Sequence, residues 1–103
     1  MQRLKCRANI AENRLKYKGL MHQALIKISG QVQGVFYRVH AGEVANTLDL
    51  KGYVRNMPDQ TVEALVQGEK PDIEKFIKWC RVGSPSSKVE KVEISWQTPG
   101  KPF

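Results

Sequence analysis

Gly30-Gln31-Val32-Gln33-Gly34-Val35-Phe36-Tyr37-Arg38 is the stretch on which the reading of this chain turns. It follows a strand-like run, His22 to Ser29, in which Ala24, Ile26 and Ile28 alternate with more polar neighbours. It precedes a helix-like run from about Phe36 to Thr47, with Tyr37, Ala41, Val44, Ala45 and Leu48 on one face. Two glycines four apart, at a strand-to-helix passage, let backbone N–H groups turn inward around a small concavity. The N-terminus of the helix adds unpaired N–H groups and a partial positive charge. Arg38, just inside the helix, carries a fork of donors suited to phosphate or carboxylate. Two readings fit this spacing: an anion cradle, and an ordinary turn with a surface arginine.

The remaining elements follow outward from that stretch. Gly52 to Asn56 reads as a second strand and Thr61 to Gln67 as a third, joined at Met57-Pro58-Asp59-Gln60. Pro71 and Asp72 open a second helix, with Ile73, Phe76, Ile77 and Cys80 at i, i+3, i+4 and i+7. Gly83 is its expected stop, Ser84 to Ser87 a loop, and Lys88 to Trp96 a fourth strand. The order strand, helix, strand, strand, helix, strand predicts an α+β, ferredoxin-like βαββαβ sandwich. Both helices then cover one face of an antiparallel sheet. Trp79 and Trp96 read as packing residues, with Trp79 at the margin of its helix's apolar stripe.

The 103 residues suffice for one domain with a modest core. No apolar run approaches the length of a membrane span, and no signal-peptide pattern is seen, so a cytoplasmic protein without membrane contact is expected. The net charge of +7 is uneven. Residues 1–20 hold six basic residues and one acid, whereas residues 21–103 hold eleven basic and nine acidic residues. Residues 1–21 therefore read as a basic extension, either a solvated, disordered arm or a non-native leader before Met21, and residues 22–103 as the domain. A basic arm also suits nucleic acid or an acidic membrane, but it lacks interleaved aromatics, and nucleic acid is not expected as a partner. Cys6 and Cys80 have no metal-ligand spacing, and a cytosolic setting disfavours a disulfide between them. No cluster of His, Cys or carboxylate suggests a metal. His22 and His40 have no fitting partner, and Glu43, Asp49, Asp59 and Glu63 read as scattered, solvated charges.

With these residues in view, the chain resembles the acylphosphatase family. Gly30 to Arg38 is similar to the family's first signature, Gly-x-Val-Gln-Gly-Val-x-Phe-Arg, with Tyr37 in place of Phe. Gly52-Tyr53-Val54-Arg55-Asn56 is similar to the second, followed by Val62 and Gly68. The resemblance covers about residues 22–96 and implies the fold derived above. It implies hydrolysis of acyl phosphates, mixed anhydrides of a carboxylic and a phosphoric acid, without metal, cofactor or phosphoenzyme. It assigns Arg38 to the phosphoryl oxygens and Asn56 to the attacking water. The backbone amides of Gln33, Gly34, Val35, Phe36, Tyr37 and Arg38 become the phosphate cradle, which a phosphate or sulfate ion would also fit. A monomer acting on a small-molecule acyl phosphate is expected. Two departures stand out. Gln60 occupies a position where the second signature expects glycine, and no closing strand follows the fourth, which predicts an uncovered sheet edge.

Residue by residue, Asn56 at a strand end before a Pro-containing turn reads as a turn residue. Beside Arg38 and the signature match it reads as a water-orienting group. The alternative function is a ferredoxin-like module that binds an anion or nucleic acid without catalysis. The third strand, Thr61 to Gln67, has no aromatic residue, which weighs against RNA.

Overall fold

Residues 2–3 and 21–99 are described by the computed structural model. In chain order the elements are β1 (Gln2–Arg3), β2 (Met21–Gln31), α1 (Tyr37–Thr47), β3 (Lys51–Asn56), β4 (Val62–Glu69), α2 (Lys70–Val82) and β5 (Lys88–Gln97). All neighbouring strands pair antiparallel, in the order β1-β3-β4-β2-β5. β2 through β5 with the two helices form the expected ferredoxin-like sandwich, and β1 adds two residues beside β3.

Period-two burial decides which face of the sheet is covered. Ala24, Ile26 and Ile28 of β2, Val54 of β3, and Val62, Ala64 and Val66 of β4 are all buried. They meet Tyr37, Ala41 and Ala45 of α1 and Ile73, Phe76, Ile77 and Cys80 of α2 in one core cluster. Each fully buried Ile or Phe contributes roughly 1.5–3 kcal/mol, so this layer supplies most of the stabilisation. On the opposite face the Gln67 amide donates to Gln23 and the Gln23 amide to Gln97, each at 2.7 Å. This run of amides crosses three strands and satisfies side chains that are nearly buried.

β2 is longer than its alternation suggests. Gly30 and Gln31 still pair with Val89 and Lys88 of β5, across a register shift after Ser29. Gly30 has φ 126, and a Cβ there would run into the Lys88 carbonyl and the Glu90 amide. Gly30 therefore lets β5 approach closely at a bulge, as glycine does, and is not part of the cradle loop. The expected open edge is only partly realised. Tyr53 and Val54 of β3 pair with Arg3 and Gln2, and residues 4–20 of the basic arm lie outside the described residues. β5 forms the other edge, where Lys88, Glu90, Lys91 and Glu93 discourage pairing with another chain.

α1 is anchored by its first residue. Tyr37 is fully buried, and its ring lies 5.2 Å from that of half-buried Trp79. Its hydroxyl donates to the Cys80 carbonyl at 2.8 Å, near the end of α2. The extra oxygen relative to phenylalanine thus links the two helices and satisfies a carbonyl that the helix end leaves open. Burial pushes the phenol far above its ordinary range and raises the Cys80 thiol to about 12, so neither ionises near neutrality. Tyr37→Phe is expected to cost about 1–2 kcal/mol, read as a lower urea midpoint, because a buried carbonyl loses its partner.

Candidate active site

β2 ends at Gln31, and the chain enters α1 at Tyr37, within five connecting residues. Two left-handed residues make this possible, Gly34 at φ 75 and Phe36 at φ 60. A Cβ on Gly34 would meet nothing within 4 Å, so conformation alone favours glycine there. Phe36 is the N-cap of α1, yet it has no side-chain cap bond, and the first turn contains no acidic residue. The first-turn amides of α1 are therefore left without intrahelical acceptors and point to the loop. Among the described residues, the Gln33–Phe36 amides donate to no backbone carbonyl. The positive end of α1 is not offset by any charge of its own first turn.

A cavity of about 260 Å³ opens at this point, lined by Val32, Gly34, Phe36, Tyr37, Arg38, Val39 and Asn56. Arg38 and Asn56 come from different elements, the first turn of α1 and the last residue of β3, and both line this cavity. The Arg38 Nε is buried and has no hydrogen-bond partner among the described residues. Arg55, one residue before Asn56, contrasts with it. Its Nε and a terminal nitrogen reach Glu63 at 2.8 and 2.7 Å, and its guanidinium lies 5.1 Å from the Tyr53 ring centre. Glu63 is therefore an engaged ion-pair partner, not a freely solvated charge. Of the two arginines, Arg38 is the one with a side-chain donor left unpaired among the described residues.

The cradle loop is fixed from two sides. The Gln33 side-chain amide donates to the carbonyls of Met57 and Thr61, at 2.8 Å each. These carbonyls flank the turn that follows Asn56, so the side chain ties the loop before α1 to that turn. From the other side the Ser84 hydroxyl donates to the Val35 carbonyl at 3.0 Å. Ser84 is itself buried in the loop after α2. Sequence reasoning placed the Gln33 amide in the cradle but missed the work of its side chain and of Ser84. Both contacts join residues far apart in sequence, and only the fold brings them together.

The turn after Asn56 closes with a Gln60 N–H to Met57 carbonyl bond of 3.2 Å and a Met57 N–H to Thr61 carbonyl bond of 2.8 Å. Gln60 adopts φ 72. A reverse turn followed by one left-handed residue is a common hairpin form, and glycine suits its last position best. The turn is made without glycine, and Gln60 bears the left-handed conformation. Asp59 holds the turn by accepting from the Thr61 hydroxyl and the Thr61 amide, and Lys27 lies 3.3 Å from its carboxylate. His40 is half-buried, and His22 packs edge-on against Trp96 at 6.4 Å, away from the cavity. Among the described residues no group of three His, Cys, Asp or Glu side chains could hold a metal ion. Among them, too, no helix is long and apolar enough to cross a membrane.

Comparison with known proteins agrees with this fold. The Acylphosphatase family model matches residues 24–103. The acylphosphatase of Anaeromyxobacter dehalogenans is 43% identical over 77 residues, covering 75% of this chain and 83% of its own length. That of Shewanella amazonensis is 47% identical over 75 residues, covering 73% and 82%. The crystal structure of acylphosphatase from Bacillus subtilis matches with a TM-score of 0.76 at 31% identity, over 78% of this chain and 89% of that one.

The Thr61 hydroxyl and amide, and then Lys27, hold the Asp59 carboxyl below its usual range. A depressed folded-state value stabilises the fold above the unfolded-state value, and the effect is lost as pH falls through the folded one. The urea-midpoint gap between wild type and Asp59→Ala is thus expected to be full at neutral pH. It should shrink below about pH 4, the ordinary aspartate range.

Proposed function

The chain belongs to the acylphosphatase family and is an acylphosphatase, and from that premise we propose how its residues hydrolyse an acyl phosphate. The observation that carries the proposal is the buried, unpaired Arg38 Nε in a cavity that Asn56 also lines, at the uncapped start of α1. In this reading the phosphoryl group sits against the Arg38 guanidinium. Its oxygens accept from the amides of Gln33, Gly34, Val35, Phe36, Tyr37 and Arg38. The Asn56 side-chain carbonyl accepts a hydrogen bond from a water, and its amide donates to a phosphoryl oxygen.

The water oxygen attacks phosphorus in line with the acyl oxygen. The bond from phosphorus to the acyl oxygen breaks, and its electron pair leaves on the carboxylate. The water proton passes to a phosphoryl oxygen or to solvent. A carboxylate is a weak base, so the leaving group needs no general acid. What remains is to hold the reactants in line and to neutralise charge on the three phosphoryl oxygens. Fixed donors in a small cavity do this without reorganisation during the reaction. Neither an arginine nor an asparagine changes charge across the neutral range, so the chemistry needs no side-chain base.

All the groups used come from one chain, so a monomer suffices, and inorganic phosphate would occupy the same cradle. The mechanism needs no metal. The free, buried Cys80 thiol accords with the reducing cytoplasm we assign to the protein.

Removing one such charge-directed donor usually costs roughly a hundredfold or more in turnover. With benzoyl phosphate in excess chelator, wild type is expected to turn over fully. Arg38→Ala should lose at least about a hundredfold and Asn56→Ala a comparable factor. A loss below about tenfold for Arg38→Ala would show that this arginine does not hold the phosphoryl group.

A further inference from the structure

Among the described residues, three large apolar side chains stand open to solvent: Phe36, Val82 and Trp96. Trp96 has neighbours for its ring, with the Lys70 ammonium 5.5 Å from its centre and His22 edge-on. Val82 ends α2, away from the cavity. Phe36 is the one that lines the active-site cavity, and it is 73% exposed.

Phe36 also has an unfavourable backbone. At φ 60 and ψ 15 it occupies the left-handed region, where a bulky side chain is disfavoured and glycine or asparagine is at ease. Its ring gains little burial in return. Strained, non-glycine positions of this kind cluster at sites of function. The phosphate cradle does not explain the ring, because it uses only the Phe36 amide. Core packing does not explain it either, because the stripe Tyr37, Ala41 and Ala45 turns the other way.

The two ends of the substrate supply a role. With the phosphoryl group against Arg38 and the first-turn amides, the acyl group must leave the cavity through its mouth. Of the two aromatic residues that line the cavity, Tyr37 is buried and Phe36 presents its ring to solvent. We infer that the Phe36 ring packs against the acyl group, so that the site prefers acyl phosphates with a planar, apolar acyl group of the aryl type over small ones such as acetyl. The inference rests on the proposed placement of the phosphoryl group at Arg38. The ring contacts the reactant at an end that changes little during the reaction. It therefore acts on binding and is felt in KM more than in kcat.

The test compares kcat/KM for benzoyl phosphate and acetyl phosphate in wild type, Phe36→Ala and Phe36→Asn. An exposed ring can be removed without opening the core, and circular dichroism checks that each variant is folded. Intrinsic differences in reactivity cancel when the benzoyl-to-acetyl preference of a variant is divided by that of wild type. That preference is expected to fall about threefold to tenfold in both variants, the range of a single aromatic contact, chiefly through a higher KM for benzoyl phosphate. Asparagine tolerates the left-handed backbone, so a loss shared by both variants belongs to the ring. An unchanged preference in either variant, beside an Arg38→Ala protein that has lost both substrates, overturns the inference alone. Arg38→Ala that still turns over both substrates overturns the phosphoryl placement, and the inference with it.

Discussion

The passage from β2 into α1 is the constraint on which the site depends. Five residues, Val32 to Phe36, must turn an extended chain into a helix. They do so with two left-handed residues and no capping side chain. An ordinary N-cap would supply a serine or aspartate oxygen to the first-turn amides and so fill the anion position from within. Here the amides stay open, and the next side chain inward is Arg38. The same few residues end the central strand, start the helix and concentrate positive potential at one point. Tyr37 fixes this arrangement from below, since its ring fills the core and its hydroxyl holds α2.

A rigid frame then brings the second half of the site to the first. Asn56 ends β3, which is separated from β2 by β4 in the sheet. The Gln33 side chain spans the gap by bonding both carbonyls around the turn that follows Asn56. One polar side chain thus couples two loops whose relative position, on the proposed mechanism, decides the line of attack. A misplacement of even an ångström is costly in reactions governed by positioning. Arg55 beside Asn56 is engaged by Glu63, and on the proposed mechanism anion binding falls to Arg38.

Much of this was legible in the sequence, for physical reasons. Alternation in β2 and β4 and the stripe in α2 set the element order, because one buried face imposes a regular pattern. Arg38 was legible as a donor just inside a helix start, one of two readings of that spacing, whereas Asn56 alone read as a turn residue and drew its role from the resemblance to the family signature. Less legible was what depends on distant pairs or on backbone angle. The bonds of Gln33 to Met57 and Thr61, and of Ser84 to Val35, join elements with no common periodicity. Gly30 looks like a cradle glycine, yet it serves the bulge against β5, since its partner strand lies far along the chain. At Gln60 the resemblance marked a position where glycine is expected, but glutamine itself does not show that the backbone there is left-handed. Gln2 and Arg3 are too few to show any period, so their pairing with β3 had no signature. Phe36 left only a faint trace: it read as the opening of the helix, off the Tyr37 stripe, where the structure makes it the N-cap.

The central claim is that water attacks phosphorus and not the acyl carbon, because the donors converge on the phosphoryl end. Hydrolysis of benzoyl phosphate in oxygen-18 water, with mass spectrometry of both products after a single turnover, tests this directly. Attack at phosphorus predicts that the label appears in inorganic phosphate and not in benzoate. Label in benzoate would mean attack at the carbonyl carbon, and would contradict the roles assigned to Arg38, the cradle amides and Asn56.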